Sequence, residues 1–343
     1  MLNKKQNHQL TIITEGGKKF GFGHITRTIS ISTAFKKYNF KTNFVVNVDT
    51  TVTEILKNED FFLFDWLNDF QTLKNLLKTT TLILLDSILI SDIYIKKLES
   101  LNIPIIFIDD DKRKNILDKG FIVDWTVLSD KQNYFMPRKK SITYFLGSKY
   151  TPLRSEFKNI FKNKINKNIK NIMVTFGGSD VRNLTPKILN FLVTHYPNTK
   201  KNIIVGNGFS NIDAIKQYKD INTTLIFNAN ATMMKQTMQN SDLAIAAGGQ
   251  TLYELALVGV PSIAILLVNN AIDDTEGWAK VGFLINIGWW NNENLITNLD
   301  KAILKIQNQT TRVIMQKSTK EHISSDGASL LVKKIEEKYH DTF

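Results

Sequence analysis

Gly21-Phe22-Gly23-His24-Ile25-Thr26-Arg27 joins a predicted strand, 10–14, to a predicted helix, 25–38, and so predicts the first strand-turn-helix unit of the chain. Its two glycines allow a tight backbone turn and leave room for a ligand, since neither carries a Cβ. The helix that begins there points free N–H groups and the positive end of its dipole at whatever lies beside the turn. His24 lies at this point, and histidine is the side chain best suited to move a proton near neutral pH. A glycine turn with a capping histidine is the alternative interpretation.

The rest of the chain shows a repeated alternation of strands and helices. Short apolar runs alternate with helix-period runs over 10–148, and the alternation restarts at 171. Strands of continuous apolar character that are separated by helices are typical of a parallel sheet covered on both faces. A basic, Asn-rich stretch between the two halves is typical of a linker. The sequence therefore predicts two α/β domains, 1–150 and 171–310, joined by a linker, 151–170.

The composition of the 343-residue chain narrows the class of protein. Its 43% hydrophobic and 22% charged residues are those of an ordinary globular protein. No apolar run reaches the ~20 residues needed to span a bilayer, and the N-terminus lacks the apolar core of a secretory signal. The absence of cysteine excludes disulfides, thiolate zinc sites and cysteine nucleophiles. We expect a cytoplasmic protein and a monomer.

The net charge of +12 comes from scattered lysines rather than from one basic stripe. Such a distribution does not favour nucleic acid as a partner, whereas a nucleotide or an anionic lipid carrier needs only local positive charge. We therefore expect a small anionic substrate and no nucleic acid.

Two further glycine turns follow predicted strands in the second half of the chain, at 177–180 and 248–251. Backbone N–H groups in such turns can hold a diphosphate, and the hydroxyls of Ser179 and Thr251 add donors. Glu254 lies about one helical turn after the second turn, where a carboxylate can accept both hydroxyls of a ribose. A solvated residue on the helix surface is the alternative interpretation of Glu254.

Acidic residues follow two predicted strands of the first half. Active residues of parallel sheets gather at the carboxyl ends of strands, so Asp86, Asp109 and Asp110 are expected to line one crevice with His24. The run Asp109-Asp110-Asp111 could bind Mg²⁺. We expect instead that one of these aspartates orients a helix or a substrate hydroxyl and that another is solvated. The histidines show no metal-ligand spacing, so the sequence predicts neither a metal nor a cofactor.

These residues resemble the signature motifs of a known family. Gly21–Arg27 resembles the G-x-G-H-x-x-R signature of the nucleotide-sugar hydrolases of the pseudaminic acid pathway and their spore-coat-polysaccharide relatives, the PseG/SpsG family. The matches continue in order through Asp86-Ser87, Asp109-Asp110, the segment 146–157, the run 176–180 and the run 247–261. The last of these resembles a uridine-diphosphate motif that is shared in looser form with the MurG-type glycosyltransferases.

The resemblance implies a GT-B fold, in which two Rossmann-like, doubly wound domains face a cleft. It implies that the closing helix, 311–343, packs back on the first domain. It also implies that His24 activates a water molecule, which attacks the anomeric carbon of a UDP-2,4-diacetamido-2,4,6-trideoxyhexose and releases UDP without a metal. The residues implied on the sugar side are Gly21, Gly23, Arg27, Asp86, Asp109 and Asn270. Those implied on the nucleotide side are Gly177, Gly178, Ser179, Gly248, Gly249, Gln250, Thr251 and Glu254.

Two other functions remain open. In a GT-B glycosyltransferase, a sugar hydroxyl or a lipid carrier would replace water at the same UDP site. A membrane-associated transferase would need a hydrophobic, basic patch on the first domain, and the run 61–66 is the one candidate, which we expect to be mostly core. A sugar-nucleotide-binding protein without catalysis would have no need for a base such as His24. Gln250 and Asn269-Asn270-Ala271 depart from the family pattern, which leaves the exact sugar open.

Overall fold

The structure, a computed structural model, describes residues 8–17, 20–161 and 164–342, with side chains described through residue 339. The chain divides into two compact units, of which the first comprises residues 1–153 and 326–343 and the second residues 154–325. No helix in the described part of the chain is long and apolar enough to cross a bilayer.

The first unit is built on a seven-stranded parallel sheet of order β3-β2-β1-β4-β5-β6-β7. Its strands are β1 Gln9–Thr14, β2 Lys41–Val46, β3 Asp60–Leu63, β4 Leu82–Asp86, β5 Ile105–Ile108, β6 Gly120–Asp124 and β7 Ile142–Leu146. Its first four helices are α1 Gly23–Lys36, α2 Thr53–Leu56, α3 Phe70–Leu76 and α4 Asp92–Glu99.

The second unit is built on a six-stranded parallel sheet of order β10-β9-β8-β11-β12-β13. Its strands are β8 Asn171–Thr175, β9 Lys200–Val205, β10 Thr223–Phe227, β11 Leu243–Ala247, β12 Ser262–Leu266 and β13 Leu284–Trp289. Its helices are α5 Leu184–His195, α6 Ile212–Gln217, α7 Ala231–Asn240, α8 Gln250–Val258, α9 Ile272–Val281, α10 Leu295–Gln307 and α11 Gln309–Lys317. The last helix of the chain, α12 Gly327–Thr342, belongs to the first unit.

Apolar runs become central strands where both faces of the sheet are covered. Every residue of β4 is buried, as are the last five residues of β1. Each Leu or Ile side chain that is fully buried contributes roughly 1.5–3 kcal/mol to folding. Strands of this kind cannot lie at a sheet edge, so the sequence places β1 and β4 at the centre of the sheet.

Both sheets reverse their strand order at equivalent places. The reversal lies between β1 and β4 in the first unit and between β8 and β11 in the second. Ligands of open α/β sheets bind outside the carboxyl ends of the strands at such a reversal. The predicted motifs follow these four strands, since α1 begins soon after β1, Asp86 ends β4, and the two other glycine turns follow β8 and β11.

Two segments differ from the sequence-based expectation. The expected linker belongs from Arg154 onward to the second unit, where Phe157, in a short 3-10 helix, Ser155–Phe157, is fully buried. The closing segment 311–343 is not one helix, because α11 ends at Lys317 and α12 begins at Gly327. The run Ser324-Ser325-Asp326 directly precedes Gly327, the first residue of α12, and such residues favour turns over helix.

The apolar run 61–66 is not mostly core, contrary to our expectation. It includes edge strand β3, whose residues alternate between exposed and half-buried. Phe62 is 42% exposed, whereas Trp66 is fully buried. The difference arises because an edge strand lacks a neighbour on one side and so leaves alternate side chains uncovered.

Candidate active site

Glycine shapes the turn before α1. Gly17 donates its backbone N–H to the carbonyl of Gly21 at 2.9 Å, and Gly21 has a φ of +76°, a left-handed conformation that favours glycine. Open space lies where a Cβ would stand on Gly21 or Gly23. α1 begins at Gly23 without a side-chain cap and without an acidic residue in its first turn. A polar ligand can therefore approach the backbone of this turn.

His24 and Asp86 form a hydrogen-bonded pair at the strand reversal of the first sheet. His24 is the second residue of α1, and Asp86 ends β4 beside Thr14 of β1. The distance between Nδ1 of His24 and Oδ1 of Asp86 is 2.8 Å. Because an ionised carboxylate only accepts hydrogen bonds, we assign the proton to Nδ1. Nε2 has no hydrogen-bond partner within the described residues, so it can accept a proton from a reacting hydroxyl.

Arg27 holds this pair in place. It lies one helical turn after His24, on the same face of α1. Its Nε and Nη2 atoms donate to the two oxygens of Asp86 at 2.7 and 2.6 Å, and Nη1 donates to Asp110 at 2.7 Å. The guanidinium also lies over the ring of Trp125, 4.9 Å from its centroid. A bidentate pair with a stacked ring fixes the Asp86 carboxylate and, through it, the imidazole.

The charges of these residues suit a proton-transfer site. Burial alone would lower the pKa of His24, but the charge of Asp86, its hydrogen bond to the imidazole and the charge of Glu15 together raise the pKa above its usual value of 6.5. Burial alone would raise the pKa of Asp86, but Arg27 and His24 hold it well below its usual range. Asp86 is therefore an anion at neutral pH, and its charge stabilises the protonated form of His24.

Three more buried carboxyl groups lie near this pair. Burial raises the pKa of Asp109 to about 7, although the carboxylate accepts the backbone N–H of Asn115. Burial raises the pKa of Asp124 to about 6, against the opposing charge of Arg113. Burial also raises the pKa of Glu15, the residue after β1. Glu15 and Asp124 were not predicted from the sequence.

One pocket of the first unit brings together three of the six residues predicted on the sugar side, without Gly21, Gly23 and Asn270. It is lined in part by His24, Arg27, Asp86, Asp109 and Asp110. Asp110 is bound to Arg27 and Asp109 to backbone, so the acidic run does not present its carboxylates together. Among the described residues, no group of three or more His, Asp or Glu side chains is arranged to hold a metal ion.

The turn between β11 and α8 lies at the strand reversal of the second sheet. Gly249 has a φ of +119° and has open space where a Cβ would stand. α8 begins at Gln250 without a side-chain cap and without an acidic residue in its first turn. Gln250 and Thr251 are half-buried. Backbone N–H groups at an uncapped helix start, together with the helix dipole, fit a phosphate.

The turn between β8 and α5 differs, because α5 already has a cap. Asp180 accepts the backbone N–H groups of Leu184 and Thr185, both at 2.9 Å. Its carboxylate therefore compensates the positive end of the α5 dipole. The accessible part of this turn is Gly177, Gly178 and Ser179. These residues can donate hydrogen bonds, but the helix that follows them carries a capping carboxylate, which α8 lacks.

Gly248 allows the segment that follows Asn270 to approach the turn before α8. A Cβ on Gly248 would lie 2.5 Å from Oγ1 of Thr275 and 2.7 Å from Cβ of Ala271. Asn270 directly precedes Ala271 in a short 3-10 helix, Asn269–Ala271, and is exposed. The missing Cβ thus allows Ala271, the residue after Asn270, to lie against Gly248.

Glu254, on α8, forms an ion pair that the sequence did not predict. Arg154 donates from Nε to Oε1 of Glu254 at 2.7 Å and from Nη2 to Oε2 at 2.8 Å. Glu254 is 4% exposed, so the alternative of a solvated helix-surface residue is wrong. Arg154 was not identified as a site residue because it lies in the segment expected to be a linker.

Comparison with known proteins adds to this geometry. Residues 171–331 match the model of the glycosyltransferase family 28 C-terminal domain. The uncharacterized protein MJ1062 of Methanocaldococcus jannaschii is 29% identical over 75% of this chain and 55% of its own. A Helicobacter pylori protein, described as a pseudaminic acid cytidylyltransferase and UDP-2,4-diacetamido-2,4,6-trideoxy-beta-L-altropyranose hydrolase, is 24% identical over 76% of this chain and 45% of its own. The chain thus spans about half the length of these curated relatives.

The fold itself is shared with a glycosyltransferase of known structure. The crystal structure of Acinetobacter baumannii MurG matches with a TM-score of 0.68 over 96% of this chain and 99% of that chain, at 12% identity. The predicted fold class is therefore confirmed, because the two parallel-sheet, Rossmann-like units are those of the GT-B fold.

Proposed function

We propose that the protein is a nucleotide-sugar hydrolase that releases UDP from a UDP-2,4-diacetamido-2,4,6-trideoxyhexose in pseudaminic acid biosynthesis. The His24–Asp86 pair carries the proposal, because it leaves Nε2 of a buried, oriented imidazole ready to accept a proton. The name of the Helicobacter pylori relative supports this substrate class.

The proposed reaction balances with water as the second substrate. Nε2 of His24 takes a proton from water while the water oxygen forms a bond to the anomeric carbon. The bond between that carbon and the diphosphate oxygen breaks, and UDP leaves with the electron pair. Asp86 stabilises the imidazolium that forms, and Arg27 holds Asp86. No step in this scheme requires a metal.

The nucleotide is proposed to lie on the second unit. The backbone N–H groups of Gly249, Gln250 and Thr251 meet the diphosphate and stabilise the charge that develops on it. The turn after β8 adds donors, and Glu254 accepts the hydroxyls of the ribose.

Release of UDP in the absence of an acceptor tests the hydrolase. The pure protein is incubated with UDP-2,4-diacetamido-2,4,6-trideoxy-β-L-altrose in EDTA, and UDP is measured over time. We expect release by the wild type and a loss of about 100-fold or more in His24→Ala. His195→Ala is the matched control, because His195 is an exposed histidine of the second unit. Equal rates for His24→Ala and the wild type would contradict the proposal.

A GT-B glycosyltransferase is the second candidate, favoured by the family 28 match of residues 171–331. In that reaction the same His24–Asp86 pair would take a proton from an acceptor hydroxyl instead of water. Release of UDP only after an acceptor sugar or lipid carrier is added would support the transferase and overturn the hydrolase.

A further inference from the structure

Arg154 and Glu254 lie 100 residues apart in sequence and form a two-pronged ion pair. The side chain of Glu254 is 5% exposed and that of Arg154 is 27% exposed. Arg154 is held in turn by Phe157, whose fully buried ring lies 5.2 Å from the guanidinium carbon. The segment before β8 thus places the guanidinium of Arg154 against the carboxylate of Glu254 on α8.

The pairing does not use the full hydrogen-bonding capacity of the Glu254 carboxylate. A carboxylate has about four lone-pair positions, and the two N–H groups of Arg154 occupy one on each oxygen. The second position on each oxygen can accept a further hydrogen bond. The two neighbouring hydroxyls of a ribose can each donate a hydrogen bond to one of these two oxygens.

The position of Glu254 on α8 suits such a ligand. It lies four residues after Gln250, which places its Cα about 6 Å along the helix axis from the helix start. Side chains of a helix lean toward its N-terminus, so the carboxylate is directed back toward the turn before α8. A ribose next to a diphosphate at that turn would meet it.

We propose that Arg154 is a positioning residue that fixes both oxygens of Glu254 for the two ribose hydroxyls, so that the site selects ribonucleotides over 2′-deoxyribonucleotides. The inference rests on the proposed nucleotide site. Arg154 itself does not contact the ribose. Without it, the carboxylate of Glu254 can rotate and lose the alignment of its lone pairs.

Calorimetric titration with UDP and with 2′-deoxy-UDP tests the inference. The variants are Arg154→Ala, Arg154→Lys and Glu254→Gln, each checked for folding by circular dichroism. Arg138→Ala is the matched control, because Arg138 is an exposed arginine of the first unit whose guanidinium lies 5.7 Å from the Tyr144 ring. The quantity compared is the ratio of the two dissociation constants.

We expect the wild type and Arg138→Ala to bind UDP about 10- to 100-fold more tightly than 2′-deoxy-UDP. Arg154→Ala should bring the ratio of the two dissociation constants close to that of Glu254→Gln, chiefly by weakening the binding of UDP. Arg154→Lys should restore the wild-type ratio in part. Equal weakening of both ligands, or an unchanged ratio, would overturn the role of Arg154. If Arg154→Ala does not fold, a wild-type ratio in Arg154→Lys refutes the need for a two-pronged partner. Absence of UDP binding by the wild type would instead overturn the proposed nucleotide site, and the inference with it.

Discussion

The substitution Asp86→Asn removes one charge from the proposed catalytic pair and preserves the shape of the side chain. Oδ1 of Asp86 accepts hydrogen bonds from His24 and Arg27, whereas Oδ2 accepts from Arg27 alone. An amide nitrogen at the Oδ2 position would face one donor, but at the Oδ1 position it would face two. We therefore expect the amide oxygen to remain on His24, so that Nδ1 keeps its proton.

The variant then loses chiefly the negative charge that stabilises the imidazolium. A hydrogen bond to a charged partner contributes about 1.5–3 kcal/mol, and about 1.4 kcal/mol corresponds to a tenfold change in rate. We expect kcat to fall about 10- to 100-fold. The pKa of His24 should also fall, because Asp86 is the group that raises it. A general base must be unprotonated, so the loss of activity on acidification should move to lower pH in the variant.

The measurement is kcat for UDP release as a function of pH, on the wild type, Asp86→Asn and Asp110→Asn. Asp110→Asn is the matched variant, because Asp110 binds the same guanidinium without a hydrogen bond to His24. The loss of kcat on acidification should shift less along the pH axis in Asp110→Asn than in Asp86→Asn. A folded Asp86→Asn variant with the kcat and the pH profile of the wild type would refute the reasoning.

Three further predictions concern stability and nucleotide binding. The pKa of Asp109 in the folded protein is raised to about 7, so its protonated form stabilises the fold at low pH, and this stability is lost as the pH rises from about 4 through about 7. Asp109→Asn should flatten this decline in the free energy of unfolding measured with urea, and an unchanged dependence on pH would contradict the prediction. Gly249→Ala should lower the free energy of unfolding by about 1–3 kcal/mol, because alanine is strained at a φ of +119°. It should also weaken the binding of UDP in calorimetry, and wild-type affinity would contradict the proposed role of this turn in binding the diphosphate. Arg312→Ala should lower the free energy of unfolding by about 3–5 kcal/mol, because the buried guanidinium donates to four backbone carbonyls. The exposed Arg138→Ala is its control, and equal midpoints in urea would count against this estimate.

The central strands and the places of His24 and Asp86 could be predicted because their signals are local. An apolar run that ends in a polar residue marks the carboxyl end of a buried strand, and β4 with Asp86 has this form. Glycines before a helix-period run mark the start of α1 and the place of His24. These residues then meet because parallel strands end at the same edge of the sheet.

Other site residues depend on contacts that no local pattern contains. Glu15 is buried because β1 lies beside β4, a pairing of residues more than 70 positions apart. Arg154 finds Glu254 across 100 positions, and its segment lacks the periodicity that would have marked it as folded. Phe157, Ile160 and Ile165 of that segment are buried, but a few irregularly spaced apolar residues within a basic run are a weak signal.

The break between α11 and α12 was also missed, although its signal is local. The Ser-Ser-Asp run before Gly327 interrupts a longer apolar periodicity that predicts one continuous helix. A Cβ on Gly327 would lie 2.2 Å from the carbonyl oxygen of Thr151, so a glycine is required where the start of α12 meets the first unit.

That junction has a consequence for the order in which the protein folds during synthesis. Leu331, Val332 and Ile335 of α12 are buried in the unit that carries His24, where α12 packs against α1. The ribosome releases the sheet of this unit first, yet the helix that covers α1 emerges only after the entire second unit. The contiguous second unit can fold in the meantime, while the half-finished first unit exposes apolar surface. A nonsense mutation shortly before Gly327 would therefore damage the unit made first and spare the one made last.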